Sequence, residues 1–326
     1  DPVRSRCAGD VLRAHREQGA PGLGLVVGEA QLAGLPVIVS RRGALPEMIR
    51  PGETGAVLAD VAAEANGDVT QEIEEFRTFA ADLGLDLEAV EITPAGKRRL
   101  LRIAVDKDGW FYIPFGPPFN IGIPPTSVSQ IRRVDPKTGN AEIWALGVRN
   151  SVGGDVDPRT GKYWFTENAR DWISDDLPSD KLNMISKIGE HFGYPYCHQG
   201  NLPDTKFAMG HKCSEFTPPV YNLGAHVAPL GMKFYTGSQF PAEYKNAILI
   251  AEHGSWNRHK YQGGRIVKIT ASPDGKNAKQ EIFASGWIEG DQGYLGRPAD
   301  ILLDKDGSIL VADDWAGAIY RISYSK

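Results

Sequence analysis

The chain has 326 residues, of which 41% are hydrophobic, and a formal net charge of −5. This length is enough for one large domain or two smaller ones, and the weak acidic balance argues against a nucleic-acid or membrane-surface partner. No apolar run reaches the ~18 residues of a membrane-spanning helix, so no membrane segment is expected.

Residues 1–64 predict a small α/β segment. A helix is expected through Val26–Ala33, followed by a break at Gly34–Pro36 and a buried strand, VIVS, at Val37–Ser40. A helix followed by a continuous apolar strand is typical of an α/β unit. Residues 65–99 then form a linker that the spacing of its apolar positions predicts to be partly helical.

From residue 100 onward the pattern changes to repeated strand–turn–strand units with alternating apolar residues. Partner strands are expected after each unit, for example SQIRRVDP and GRIVKIT. Recurring hairpins of this kind predict a mainly β fold with a radial arrangement of about four blades. The four units lie at Ile103–Phe115, Leu146–Ala169, Gly231–Glu252 and Ala299–Asp313.

Two long connections interrupt the hairpins, at Arg170–Gly189 and Tyr194–Pro219. Loops of this length in a compact fold are usually functional or held by a cross-link. Cys197 and Cys213 flank a stretch rich in Gly, Pro, Asn and Asp, so we expect a disulfide there rather than two free thiols. This pairing leaves Cys7 alone.

Residues 100–326 carry DKDGWFYIPFGPPFN, ALGVRNSVGGDVDPRTGKYWFTENARDW with DDLPSDKLN, GEHFGYPYC, AHVAPLGM, AEHGSWNR and GRPADILLDKDGSILVADD. In order and spacing these motifs resemble the soluble pyrroloquinoline quinone (PQQ)-dependent sugar dehydrogenases, the glucose/sorbosone dehydrogenase family. The resemblance implies an incomplete six-bladed-type β-propeller, with PQQ and Ca²⁺ as cofactors. It also implies a small-molecule sugar substrate and a periplasmic or secreted location.

The resemblance implies that Arg149 and Asn150 contact the quinone oxygens. An arginine there would stabilise negative charge during hydride acceptance, so Arg149 is the candidate catalytic residue, with a surface ion pair as its alternative. His226 matches a cofactor-contacting position, although a lone histidine beside apolar residues is more often a core residue. Arg297 matches an arginine for a PQQ carboxylate, and Arg258, or Lys260 beside it, is a further candidate cation.

For calcium, the resemblance implies backbone carbonyls in the loop after Glu167, so the carbonyls of Ala169 and Arg170 are candidate ligands. Oxygen ligands suit this ion. The nearby Asp175, Asp176 and Asp180 lack the spacing of an EF-hand. We interpret these three aspartates as a solvated acidic loop.

One departure from the family concerns the catalytic base. The family's proton-accepting histidine falls near Lys97–Arg99, and no histidine lies between His15 and His191. Lysine and arginine are poor bases at neutral pH. The first blades are also missing, and an open arc exposes its end strands. We therefore expect the α/β segment or a second copy of the chain to cover these edges.

The N-terminal segment has a resemblance of its own. Residues 22–58 resemble the donor-binding half of GT-B glycosyltransferases, with Glu29 at one of two carboxylate positions and Pro21 at the other. A segment this short cannot close a nucleotide cleft, which needs strand ends from a whole sheet.

Three functional hypotheses follow. The first is PQQ-dependent oxidation of a sugar or aldose, impaired by the missing base. The second is a non-catalytic propeller that binds a glycan or a partner. The third is a glycosyltransferase-related activity in residues 1–64.

Overall fold

A computed structural model describes residues 37–40, 55–58 and 104–324 of the chain. This described part is mainly β, with no α-helix and two short 3₁₀ turns at Cys213–Glu215 and Ala242–Tyr244. None of its elements is a helix that could cross a membrane. The helix predicted at Val26–Ala33 and the helical linker of residues 65–99 lie outside the described residues.

Two strands belong to the N-terminal segment. The strand predicted at Val37–Ser40 is present as β1, and it pairs in parallel with β2, Gly55–Leu58, in the register Val37 to Gly55. The strand β2 was not predicted from the sequence. Parallel pairing is the arrangement that an α/β unit uses, but the domain boundaries at residues 64 and 99 stay predictions.

The remaining strands lie in residues 104–322. The first ten are β3 Ala104–Val105, β4 Phe111–Phe115, β5 Gln130–Val134, β6 Ala141–Leu146, β7 Gly154–Val156, β8 Tyr163–Glu167, β9 Ser179–Met184, β10 Glu190–His191, β11 Cys197–His198 and β12 Leu202–Pro203. The next ten are β13 Tyr221–Ala225, β14 Pro229–Phe234, β15 Ile248–Glu252, β16 Arg265–Thr270, β17 Lys279–Ala284, β18 Ile288–Glu289, β19 Gly293–Tyr294, β20 Pro298–Leu303, β21 Ile309–Asp313 and β22 Ala318–Ile322.

Four sheets follow one another along this stretch, and their strands pair antiparallel except for the parallel pair β10–β6. Their strand orders are β10-β6-β5-β4-β3, β13-β9-β8-β7, β14-β15-β16-β17 and β20-β21-β22, and we call them sheets 1 to 4. Each predicted hairpin is confirmed, as the pairs β3–β4, β7–β8, β14–β15 and β20–β21. The number of blades stays a prediction.

Apolar side chains fill the space between successive sheets. On β8, Tyr163 and Phe165 pack with sheet 1, whereas Trp164 packs with sheet 3. On β15, Ile248 and Ile250 face sheet 2, whereas the neighbouring Leu249 and Ala251 face sheet 4. Because both strands are buried on two faces, side chains from alternate positions build consecutive core layers. The sheets therefore stack face to face, as predicted for a radial fold.

One long loop was predicted too long. Ser179–Met184, within the expected loop Arg170–Gly189, is the fully buried strand β9. A run containing Asp180 and Lys181 has no apolar alternation, so the sequence pattern predicted only the end of this strand, in the partner strand expected at NMISKIG, residues 183–189. In the second loop, the predicted Cys197–Cys213 disulfide is confirmed, with 5.4 Å between the Cα atoms.

Candidate functional site

A polar cavity of about 330 Å³ opens where connections from sheets 1, 2 and 3 come together. Its walls come from segments that follow β4, β6, β8 and β15, from the connection between β13 and β14, and from Asp180 on β9. Residues at strand ends converge there because the sheets are stacked around a shared edge. The lining residues are Asn120, Arg149, Asn150, Asn168, Ala169, Asp171, Asp180, His226, Ala228, Trp256 and Asn257.

The side chain of Arg149 is held rigidly in this wall. Its Nε donates to the carbonyl of Asn120 (3.1 Å) and its Nη1 to the carbonyl of Asn168 (3.0 Å). Burial lowers the pKa of Arg149, against the pull of nearby carboxylates such as Asp171. A guanidinium nevertheless remains charged at ordinary pH. The cavity thus contains a fixed, largely desolvated cation.

The backbone of Arg149 is anchored by a buried carboxylate. Glu167 Oε1 accepts a hydrogen bond from the Arg149 amide (3.0 Å), while its Oε2 accepts from Asn183 Nδ2 (2.8 Å) and lies 2.9 Å from Lys181 Nζ. A buried ion pair such as that of Glu167 and Lys181 is stable in a core only when the remaining hydrogen-bonding groups of both side chains also have partners. The network therefore connects β8 and β9 to the position of the arginine.

Asp171 and His226 form a second polar pair in the wall. His226 Nδ1 lies 3.5 Å from Asp171 Oδ1, and His226 Nε2 contacts the carbonyl of Ser174 at 2.8 Å. Burial opposes the protonation of His226, but Asp171 and Ser174 outweigh it and raise its pKa. Burial likewise works against ionisation of Asp171, but hydrogen bonds from His226 and Asn120 leave its pKa lowered.

Asp180 joins two of the loops that form the cavity. Its Oδ1 accepts from the amide of Ala169 (2.7 Å) and its Oδ2 from the amide of Ala228 (2.8 Å). Burial raises the pKa of Asp180 to about 6 despite these two amides. The prediction of a solvated acidic loop is therefore wrong for Asp180, because backbone amides compensate its burial. Asp176, by contrast, has a side chain that is 84% exposed.

Four of the predicted site residues lie together in this cavity. They are Arg149, Asn150, Ala169 and His226. Arg170 is not among the lining residues, and its Nη1 forms a buried ion pair with Asp204 at 2.8 Å. The roles predicted for these residues toward a cofactor or metal stay predictions.

The two remaining predicted cations also lie off the described lining. Arg258 forms an ion pair with Asp176 at 3.0 Å and donates to the carbonyl of Asp175. Arg297 donates to the carbonyls of His253 (3.1 Å) and Gly254 (2.6 Å). Both guanidinium groups therefore stabilise loops by donating to backbone carbonyls. The cofactor contacts predicted for Arg258 and Arg297 stay predictions.

Several lining residues were not identified from the sequence. Asn120, Asn168 and Asn257 supply amide groups, and Asp171 supplies a carboxylate. Each of these residues lies in a loop that follows a strand. This position could have indicated them as candidates, because side chains beyond the strand ends are the ones that reach the opening of the cavity. Single asparagines in loops are nevertheless common as turn formers, so position alone did not distinguish them.

The residues present fit an acidic, planar quinone. A buried guanidinium, amide groups and the indole of Trp256 match its carboxylates, oxygens and flat face. Asn257 Oδ1 is buried without a partner among the described residues, which leaves an acceptor for a hydroxyl or a cation. For calcium, the described residues contain no cluster of three His, Cys, Asp or Glu side chains. A calcium site here would therefore rely on backbone carbonyls, such as that of Ala169.

These features define a mainly β protein with a cationic, amide-rich cavity at the shared edge of its sheets. The chain belongs to the TrAA12-like family, whose family model matches residues 127–325. A second family model, glycosyl transferases group 1, matches residues 10–73, which agrees with the resemblance seen in residues 22–58.

Relatives and solved structures support this assignment. A Borreliella burgdorferi protein described as uncharacterized is 40% identical over 69% of this chain and 60% of its own length. A Hypocrea jecorina PQQ-dependent sugar dehydrogenase is 24% identical over 55% of this chain and 48% of its own length. The chain thus spans less than two thirds of these relatives.

Among solved structures, the calcium structure of the Trichoderma reesei family AA12 enzyme has a TM-score of 0.57 and 20% identity, covering 71% of this chain and 69% of that chain. The holo PQQ domain of pyranose dehydrogenase from Coprinopsis cinerea has a TM-score of 0.54 and 20% identity, covering 74% of this chain and 76% of that chain. At this identity the likeness establishes the fold alone, a mainly β fold shared with these two proteins.

Proposed function

We propose that residues 100–326 form a PQQ-dependent sugar dehydrogenase domain that oxidises a sugar or aldose. The observation that supports this most is the buried guanidinium of Arg149, which lines an amide-rich cavity in a TrAA12-like chain. A desolvated, fixed cation is the group that an acidic quinone needs where negative charge develops. The names of the relatives favour the same class.

Arg149 is the residue that would bind and orient the cofactor. Of its five N–H groups, two donate to the carbonyls of Asn120 and Asn168. The other three have no partner among the described residues and are available to a quinone oxygen or carboxylate. Asn150 and Asn168 add amides beside it, and Trp256 adds a planar wall. PQQ, when bound, supplies the two-electron acceptor for a hydride.

A sugar hydroxyl must also lose a proton. The position that matches the family's base lies near Lys97–Arg99, outside the described residues. Within the described lining, His226 Nδ1 lies 3.5 Å from Asp171 Oδ1, and we assign this nitrogen as the place where a proton is held, because the other ring nitrogen already contacts the carbonyl of Ser174. Asp171 and Asp180 are less suited, because both oxygens of each carboxylate already accept hydrogen bonds.

The location and assembly belong to the same proposal. We propose a periplasmic or secreted protein, and the Cys197–Cys213 disulfide supports an oxidising compartment. Calcium bound through the Ala169 carbonyl and a second copy covering the open sheet edges complete the proposed holoprotein.

A non-catalytic binding module is the second candidate, favoured by the absence of a histidine between His15 and His191. Reconstitution with PQQ and calcium separates the two. The dehydrogenase proposal expects quinone absorbance to stay with the protein through gel filtration and dye-linked oxidation of an aldose such as glucose. Saturable sugar binding without quinone uptake would instead identify a binding module.

A further inference from the structure

We propose that Trp172 and Trp256 form a saccharide-binding corner at the mouth of the cavity, which holds a second pyranose ring of an oligosaccharide. This inference rests on the proposed function, because it assigns the substrate class of the same site. The ligand expected is a chain of equatorially substituted pyranoses, whose flat C–H faces can pack on indole rings.

The two indoles are exposed and fixed at a right angle. Trp172 is 63% exposed and Trp256 is 56% exposed. The centroids of their rings lie 5.7 Å apart, with an angle of 90° between the ring planes. The edge of one ring therefore meets the face of the other, and the remaining faces form two perpendicular walls. Aromatic faces carry partial negative charge and attract polarised C–H groups.

The corner is continuous with the cavity. Trp256 lines the cavity, and Trp172 follows Asp171, which also lines it. At about 330 Å³ the cavity is at the small end of ligand sites, which span roughly 300–1,000 Å³. A tricyclic cofactor would occupy most of this volume, so a sugar undergoing oxidation would project outward to the indoles.

The backbone conformation of Trp172 also indicates a role in ligand binding. Trp172 has a φ of 59°, in the left-handed region. This conformation is unfavourable for a non-glycine residue, and such strain concentrates at ligand sites. A bulky indole in this conformation gains little compensation from burial here, because the residue is largely exposed.

Polar contacts clamp the two loops that carry the indoles. Asn257 Nδ2 donates to Asp171 Oδ1 at 2.7 Å. Arg258 pairs with Asp176 at 3.0 Å, and its guanidinium also donates to the carbonyl of Asp175. These contacts join a loop after β8 to a loop after β15, so the right angle between the indoles is built before any ligand arrives. Preorganisation of this kind lowers the entropic cost of binding.

Hydrogen-bonding groups beside the corner suit hydroxyls. Asn257 Oδ1 is a buried acceptor without a partner among the described residues, and an unpaired buried acceptor favours a ligand that donates to it. The Asp171 carboxylate lies on the same side through its bond to Asn257. Indole faces combined with a carboxylate and an amide oxygen are complementary to a polyhydroxylated ring.

Calorimetry with cellotriose and glucose as probes tests this inference, using the full chain both as isolated and after reconstitution with PQQ and calcium. We expect the reconstituted protein to bind cellotriose at least roughly tenfold more tightly than glucose. Trp172→Ala should abolish this preference, and Trp172→Phe should retain most of it. Trp315→Ala is the matched control, because Trp315 is also an exposed tryptophan (57%) but does not line the cavity.

Two results would overturn the inference: equal affinity for cellotriose and glucose in the reconstituted protein, or a Trp172→Ala variant that keeps the preference. Quinone absorbance retained by each variant is measured in parallel. Quinone uptake without a cellotriose preference would reject the corner alone. A preference that depends on Trp172, in protein that takes up no quinone, would support the corner and reject the dehydrogenase proposal.

Discussion

Asn257 Nδ2 donates a hydrogen bond to Asp171 Oδ1 over 2.7 Å, although the two residues are 86 positions apart in the chain. This contact joins the loop that follows β8 to the loop that follows β15. Both residues line the cavity, so the wall of the candidate site is formed by loops from two different sheets. Changes that separate these loops should therefore affect the site before they affect the fold.

Arg258→Ala should release the two loops while leaving the sheets intact. The variant loses the ion pair to Asp176 and the bond to the Asp175 carbonyl, so the backbone of residues 171–177 should open more often. Hydrogen–deuterium exchange should show faster exchange there with unchanged protection of β8 and β15. Lys276→Ala, which removes an exposed ion pair with Asp274, is the control. Unchanged exchange in residues 171–177 would show that Arg258 is not a clamp.

Lys181→Met should strongly destabilise the fold. The substitution leaves the Glu167 carboxylate buried beside Asn183 without its cation. Removing one partner of a buried ion pair typically costs about 3–5 kcal/mol. The measurement is the free energy of unfolding from urea titration, with Lys276→Met as the exposed control. A loss of less than ~1 kcal/mol, the range of an exposed pair, would contradict the account of this network.

Glu252 predicts a pH dependence of stability. Burial raises the pKa of Glu252 to about 7 from its ordinary 4.5, despite a bond from Arg265 Nε to its Oε2. The folded protein therefore keeps a proton that the unfolded chain loses as pH rises. The protonated carboxyl therefore stabilises the folded protein fully below pH 4.5, and this stabilisation is lost as pH rises to about 7. Over this range the free energy of unfolding should fall by up to ~1.4 kcal/mol per pH unit.

The variant Glu252→Gln isolates this effect. Its free energy of unfolding, measured by urea titration across the same pH range, should decline less than that of the parent protein, because Asp180, whose pKa is raised to about 6, still contributes to the decline. Above neutral pH the variant should be the more stable of the two. If the two pH profiles run parallel, Glu252 is ionised in the folded protein and the raised pKa is incorrect.

The Cys197–Cys213 disulfide should contribute substantially to stability. It closes a loop with a sequence separation of 16, and constraint of a loop of about 15 residues in the unfolded chain is worth ~3 kcal/mol. Thermal unfolding of the double variant Cys197→Ser, Cys213→Ser should show a lower melting temperature. Reductant should lower the melting temperature of the parent protein to the same value and leave that of the double variant unchanged. A parent protein insensitive to reductant would count against this role.

The hairpins were predictable from sequence, and the contacts between loops were not. Alternation around turns such as Asp157–Gly161 identified the strand pairs, because one strand and its neighbour are adjacent in sequence. Cys197 and Cys213 were recognisable for a similar local reason. Asp180 and Lys181 were hidden, since their burial is compensated by partners on other segments. Arg149 came from a family motif, whereas its carbonyl partners, Asn120 and Asn168, depend on the three-dimensional arrangement of the loops.

The most direct test of the proposed function is a PQQ titration of the calcium-loaded protein and its Arg149 variants, followed by quinone absorbance after gel filtration. Truncating one partner of a buried charge interaction costs ~2–5 kcal/mol, or roughly 30-fold or more in affinity. Arg149→Met should show this loss, and Arg149→Lys an intermediate one. Arg321→Met, at an exposed ion pair, should bind PQQ like the parent, and melting temperatures identify variants that fail to fold.

Stoichiometric quinone retention by the parent, and its loss in folded Arg149→Met, is the result we predict. No retention by the parent, or equal retention by folded Arg149→Met, would contradict the assignment.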